Sequence, residues 1–124
     1  MILVDTSIWI DHLRDRDDAL VELLVSGRVL CHPCVIGELA LGNLRHRDEV
    51  LRLLHGLPRA TVATDGEVLT LVGRESLHGR GIGYVDAHVV ASARLTAHAT
   101  LWTRDKCLSG VASQLGVGAG PDLS

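Results

Sequence analysis

Phenylalanine is absent from the 124-residue chain, and tyrosine and lysine occur once each. Without phenylalanine, the interior must be filled by Leu, Val, Ile and Ala. The 47% hydrophobic content is enough for one compact domain over residues 1–124 and leaves no room for a second core. Long apolar runs are also missing. Met1-Ile2-Leu3-Val4 is broken by Asp5 and again by Asp11, too early for a signal peptide or a membrane span. The three cysteines, Cys31, Cys34 and Cys107, are an odd set that excludes a disulfide framework and points to a reducing cytoplasm. Strong charge of one sign is absent too: a formal net charge of −3 argues against coating nucleic acid by bulk attraction. RNA stays open as a substrate, because bound divalent ions and a local arginine patch can reverse the field. Lys106 is the only lysine, so basicity rests on arginine, whose planar fork suits bidentate phosphate contacts.

What is present alternates between strand and helix patterns. Ile2–Asp5 reads as a short buried strand ending on an acid, and Ser7 as the cap of a brief helix to Leu13. Leu20, Val21 and Leu24 have helical spacing, closed by Gly27. Residues 28–32 read as a second strand, and Pro33 opens a helix through Leu41, with Gly42 as its stop signal. Val50, Leu51, Leu54 and Leu57 mark a further helix ended by Pro58. Residues 59–63 are a third strand candidate, followed by a helix from Asp65 to about His78. After the Gly79–Gly83 loop come a helix from Tyr84 to Ala97, a fourth strand over 99–103 and a last helix from Asp105 to Leu115. The glycine-rich tail from Gly116 supplies at most a short edge strand. This alternation implies an α/β fold with a parallel sheet covered on both faces. Ligands in such folds gather beyond the carboxyl ends of the strands, where strand order switches. Asp5 and Asp105 fall there.

Four acids stand out, each with an ordinary structural alternative. Asp5 and Asp105 precede helices, as capping residues do. Asp86 lies in a first helical turn, where the helix dipole favours an anion, yet Val89, Val90, Ala93 and Ala97 put it on the inward face. Glu38 falls beside the apolar stripe of Val35 and Leu39, which predicts a partly buried carboxylate needing an arginine or a cation. Converging carboxylates raise one another's pKa unless a cation joins them. Oxygen-only ligation points to Mg²⁺ or Mn²⁺ rather than zinc, and such a site can activate water for phosphodiester hydrolysis. Thr6, Ser7 and Thr103 are placed to support the carboxylates.

The segments Asp5-Thr6-Ser7-Ile8-Trp9-Ile10-Asp11, Glu38-Leu39-Ala40-Leu41-Gly42, Tyr84-Val85-Asp86-Ala87-His88 and Leu101-Trp102-Thr103-Arg104-Asp105 resemble the successive motifs of PIN-domain ribonucleases. The resemblance is closest to the VapC toxins of bacterial type II toxin–antitoxin pairs, and it spans almost the whole chain. It implies a PIN-like three-layer α/β/α sandwich with a mostly parallel sheet of four to five strands. It also implies a Mg²⁺- or Mn²⁺-dependent endoribonuclease, a homodimer, and a VapB-type antitoxin whose C-terminal segment occupies the active-site groove. Carried over by position, Asp5, Glu38, Asp86 and Asp105 are the acidic quartet, and Thr103 is the polar residue paired with the last acid.

Other features pull elsewhere. Cys31-His32-Pro33-Cys34 matches a C-x-x-C redox pattern at a strand-to-helix junction, but that reading leaves the four acids unexplained. Zinc at Cys31, His32 and Cys34 lacks a second ligand pair at usable spacing, and His88 reads as a helix-surface residue. Gly79–Gly83 with Arg80, and the Arg45-His46-Arg47 step, are candidate phosphate contacts or plain connectors. Trp9 and Trp102 are better explained by packing than by base stacking. Rival functions are a DNA nuclease, a phosphatase and a catalytically silent binding scaffold. Asp5-Thr6-Ser7 lacks the second aspartate that haloacid-dehalogenase phosphatases place two residues after their nucleophile.

Overall fold

The computed structural model describes residues 1–118. Its elements run β1 (Ile2–Val4), α1 (Thr6–Arg14), α2 (Asp18–Val25), β2 (Val29–Leu30), α3 (Pro33–Leu41), α4 (Arg47–His55), α5 (Asp65–Arg74), α6 (Tyr84–Leu95), β3 (Thr100–Trp102) and α7 (Lys106–Gln114). Among the described residues no helix is long and apolar enough to cross a membrane.

The sheet is parallel, in the order β2-β1-β3. Ile2, Leu3 and Val4 point alternately to its two faces, and all are at most 2% exposed, so both faces are covered by helices. Isolated parallel bridges extend the sheet by one residue pair on each side, Cys31 with Arg59 and Leu101 with Gly118. Among the described residues the sheet therefore has three strands, where four to five were expected, plus two single-bridge flanks.

The expected strand over 59–63 fails for a visible reason. Its first donor pairs with the sheet, Ala60 N to Cys31 O at 3.0 Å, but β2's chain turns into α3 directly afterwards. Two of the following backbone donors go to side chains of α6 and its C-cap instead: Thr61 N to Thr96 Oγ1 at 2.8 Å and Ala63 N to Ser92 Oγ at 3.1 Å. In the tail, Leu101 N donates to Val117 O at 2.7 Å, so the edge contact is one bridge through Gly118. The tail beyond it lies outside the described residues.

Helix limits shift in ways the caps explain. Asp5, rather than Ser7, caps α1. The α5 helix ends at Arg74 and α6 at Leu95, both short of the expected limits, and Ala97 is exposed beyond the helix. α5 starts on a reciprocal capping box, Glu67 N to Thr64 Oγ1 at 3.1 Å and Thr64 N to Glu67 Oε1 at 2.9 Å.

The core is aliphatic, as a phenylalanine-free chain requires, with Leu20, Leu39, Leu54, Leu101 and Leu108 among its fully buried side chains. Trp9 and Trp102 are 1% and 6% exposed and pack in it, which removes them as stacking platforms.

Candidate active site

The chain leaves β1 toward β2 on one side and returns to β3 on the other. The switch in strand order therefore lies between β1 and β3. Asp5 N donates to Trp102 O at 3.0 Å, fixing the carboxyl ends of these two strands side by side. Asp5 follows β1, and Thr103 and Asp105 follow β3. The N-termini of α1 and α7 open from the same edge.

Asp5 is 5% exposed, so its charge depends on internal partners. Ser7 Oγ donates to its Oδ2 at 2.8 Å, Thr103 Oγ1 at 2.7 Å and Ser7 N at 3.5 Å. Thr103 Oγ1 in turn accepts from Asp105 N at 3.1 Å, and Ser7 Oγ from Arg104 N at 3.1 Å. The hydroxyls of Ser7 and Thr103 thus stitch the first acid to the last motif across the sheet edge.

Asp86 stands in the first turn of α6, where Gly83 N donates to its Oδ2 at 3.1 Å. Its carboxyl is pushed above the ordinary value, first by burial, against the lowering effect of the Gly83 hydrogen bond, and further by the negative charges of Asp5, Asp105 and Glu38. That dependence joins the quartet electrostatically: all three other acids act on Asp86.

Glu38 departs from expectation. It is exposed, not partly buried: α3 turns Val35, Ile36 and Leu39 inward and leaves Glu38 and Leu41 on the open side. The helical spacing identified the buried stripe correctly but set its edge too wide. Glu38 is held by Thr6 Oγ1, which donates to Oε1 at 2.7 Å. Asp105 is exposed as well and caps α7 through Leu108 N to Oδ1 at 3.0 Å.

One regularity unites the four. In each, the hydrogen bonds among the described residues fall on a single oxygen: Asp5 Oδ2, Glu38 Oε1, Asp86 Oδ2 and Asp105 Oδ1. The other oxygen of each has no hydrogen-bond partner among the described residues. The capping role and the ligand role are therefore compatible, one oxygen for each. Three of the acids sit at helix N-termini, where the dipole favours the anionic form.

The oxygen donor set suits a hard divalent cation. The quartet is open: no three of its acids are among the side chains whose ligand atoms all lie within 4.8 Å of one another. Mg²⁺ fits such a layout, since it keeps several waters and takes only one or two carboxylates directly.

Sequence reasoning missed other residues here. Arg104 pairs with Asp11 and, at 2.7 Å, with Asp17, tying the β3–α7 junction to α1 and to the cap of α2. Asp65 accepts from Tyr84 Oη at 2.6 Å and stands 3.2 Å from His88 Nε2. These partners are 19 and 23 residues apart in sequence, so no local spacing announces them. Arg80 bonds Gln114 on α7, and Arg47 donates to Ala40 O at 3.0 Å, giving both a structural role.

The chain belongs to the PIN domain family, whose model matches residues 2–113. It is 52% identical over all 124 residues to Ribonuclease VapC32 of Mycobacterium tuberculosis strain CDC 1551 / Oshkosh, covering the whole of both chains. The same identity and coverage hold for Ribonuclease VapC32 of strain ATCC 25618 / H37Rv.

Proposed function

We propose that this PIN-domain protein is a divalent-metal-dependent endoribonuclease, the toxin of a VapBC-type toxin–antitoxin module. The observation that carries the reading is the quartet: four acids, each with one oxygen free of hydrogen bonds among the described residues, three of them raising the carboxyl of the fourth, Asp86. The similarity to a ribonuclease along the entire chain supports RNA as the substrate.

Asp5, Asp86, Asp105 and Glu38 would hold one or two Mg²⁺ or Mn²⁺ ions. Such a cation supplies charge neutralisation at the phosphate and activation of water. The chain's residues have separable tasks. Ser7 and Thr103 hold Asp5 by Oδ2, which leaves Oδ1 for the cation. Thr6 restrains Glu38, whose exposed carboxylate is placed to orient the attacking water. Asp86, pushed toward its protonated form, gains most from a cation, because the cation removes the repulsion that raises it.

We propose that a cognate VapB-type antitoxin inserts a few side chains into the cleft of about 380 Å³ that Glu38 lines with Ile10, Leu13, Leu44 and Arg45. We further propose a homodimer acting in the cytoplasm. The purified protein should cleave RNA with Mg²⁺ or Mn²⁺ and stop on chelation. Asp5→Asn and Asp86→Asn should each lower the rate by on the order of 100-fold or more, measured on a fluorescent RNA. Wild-type rates in both variants would sink the proposal.

A further inference from the structure

Two histidines and a cysteine form a second cluster, one turn of α3 before Glu38 and two residues after Asp86 on α6. His32 precedes α3, Cys34 is its second residue and His88 lies on α6. A ligand atom of each stands within 4.8 Å of the other two. The sequence reading of His88 as a helix-surface residue is corrected here: its side chain is 13% exposed and its ring lies 5.9 Å from that of His32. The fold thus adds one donor, His88, to His32 and Cys34, in place of the second ligand pair that the segment lacks in sequence.

The hydrogen bonds around the cluster fix the tautomers. Ser92 Oγ donates to His88 O at 2.8 Å, so His32 Nε2, 2.9 Å away, donates to that same oxygen. The lone pair of His32 is then on Nδ1, where it accepts from Cys34 N at 3.0 Å. His88 Nε2 lies 3.2 Å from Asp65, whose carboxyl is held below its ordinary value, first by the Tyr84 hydrogen bond and then by that of His88. Asp65 is therefore ionised at neutral pH and accepts the Nε2 proton. In the neutral ring Nδ1 then carries the lone pair, and this nitrogen is buried without a partner among the described residues. A buried nitrogen left unpaired costs free energy unless something coordinates it. Metal-binding histidines characteristically donate their other N–H to a carboxylate or similar acceptor, as both histidines do here.

We propose that His32, Cys34 and His88 form a second metal site, selective for a borderline-soft divalent cation such as Zn²⁺ and chemically distinct from the oxygen-only quartet. Two imidazoles and a thiolate are the donor set that such a cation prefers over Mg²⁺. Burial, then the neighbouring His88 and Arg59, lower His32 to about 4, so it is neutral and able to ligate without losing a proton. Burial, followed by the charges of Glu38 and Asp65, raises the Cys34 thiol; binding releases that proton to solvent as the metal–sulfur bond forms. His32 exchanges its capping bond to Cys34 N for the cation. With three protein donors, a tetrahedral cation keeps its fourth position for water or an added anion.

The test is titration of the reduced full-length protein with Co²⁺ as a spectroscopic stand-in for Zn²⁺, in excess Mg²⁺. One equivalent should give thiolate-to-cobalt charge-transfer absorption, and Zn²⁺ should displace it. Cys34→Ser should abolish the band, Cys107→Ser should leave it, and Asp65→Asn should weaken Co²⁺ affinity on the order of 10- to 100-fold. Asp5→Asn, which disables the quartet, should retain it. Absence of the band in wild type, its survival in Cys34→Ser, or its loss in Asp5→Asn would overturn the proposal. The wild-type measurement decides even if a variant fails to fold, and it is independent of whether RNA is cleaved.

Discussion

At the scale of single residues, Asp86 carries the tension in this site. Its carboxyl is raised by burial and by three neighbouring acids, so the folded state binds its proton more tightly than the unfolded chain does. For a raised carboxyl, the associated stability is complete below the ordinary value of 3.8 and is lost as pH rises through the folded value. Neutral, metal-free protein therefore bears a penalty that a neutral amide does not. Asp86→Asn is expected to raise the melting temperature of chelator-treated protein by a few degrees at pH 7. That gain should shrink toward zero as the pH is lowered below the ordinary carboxyl value, followed by calorimetry. A variant less stable than wild type at pH 7 would contradict the account. Glu38 teaches the converse. Its spacing beside Val35 and Leu39 looked inward, but a helix face is about 100° wide, and residues at the margin are settled by which neighbour covers them.

At the scale of elements, helices were far more legible than strands. The helices over 33–41 and 106–114 follow from periodicity with a proline start at one and an aspartate cap at the other. Strand extent depends on what lies alongside, and the donors of 61 and 63 are taken by Thr96 and Ser92 rather than by a strand. Two glycines make this contrast measurable. Gly73 lies in α5 with nothing within 4 Å of an added Cβ, so Gly73→Ala should stabilise by about 0.5–1 kcal/mol through lower unfolded-state entropy. At Gly118 a Cβ would sit 2.9 Å from Ser113 Oγ and 3.3 Å from Ser113 backbone atoms, so the bridge to Leu101 must yield. Gly118→Ala should lower the denaturation midpoint, seen in urea melts of the two variants side by side. Equal midpoints would show that the edge bridge contributes nothing.

At the scale of the whole molecule, the sheet edge gathers like charges that the proposed cation would relieve, which would link stability to metal occupancy. Millimolar Mg²⁺ or Mn²⁺ should raise the wild-type melting temperature over a chelator control. The rise should be much smaller in an Asp5→Asn/Asp86→Asn double variant. An equal rise in both would place the stabilising cation elsewhere.

The sequence by itself determined the α/β alternation, the aliphatic core, the family and the four acids with their hydroxyl partners. These depend on local periodicity, caps and motifs, which the chain order carries. The tertiary structure decided how deep each acid lies, how far each strand extends, and which distant residues meet. Burial and hydrogen-bond competition are set by neighbours far away in sequence. His88 shows this most plainly: no spacing relates it to His32 and Cys34, and only the packing of α6 against α3 brings its ring to the imidazole of one and the thiol of the other.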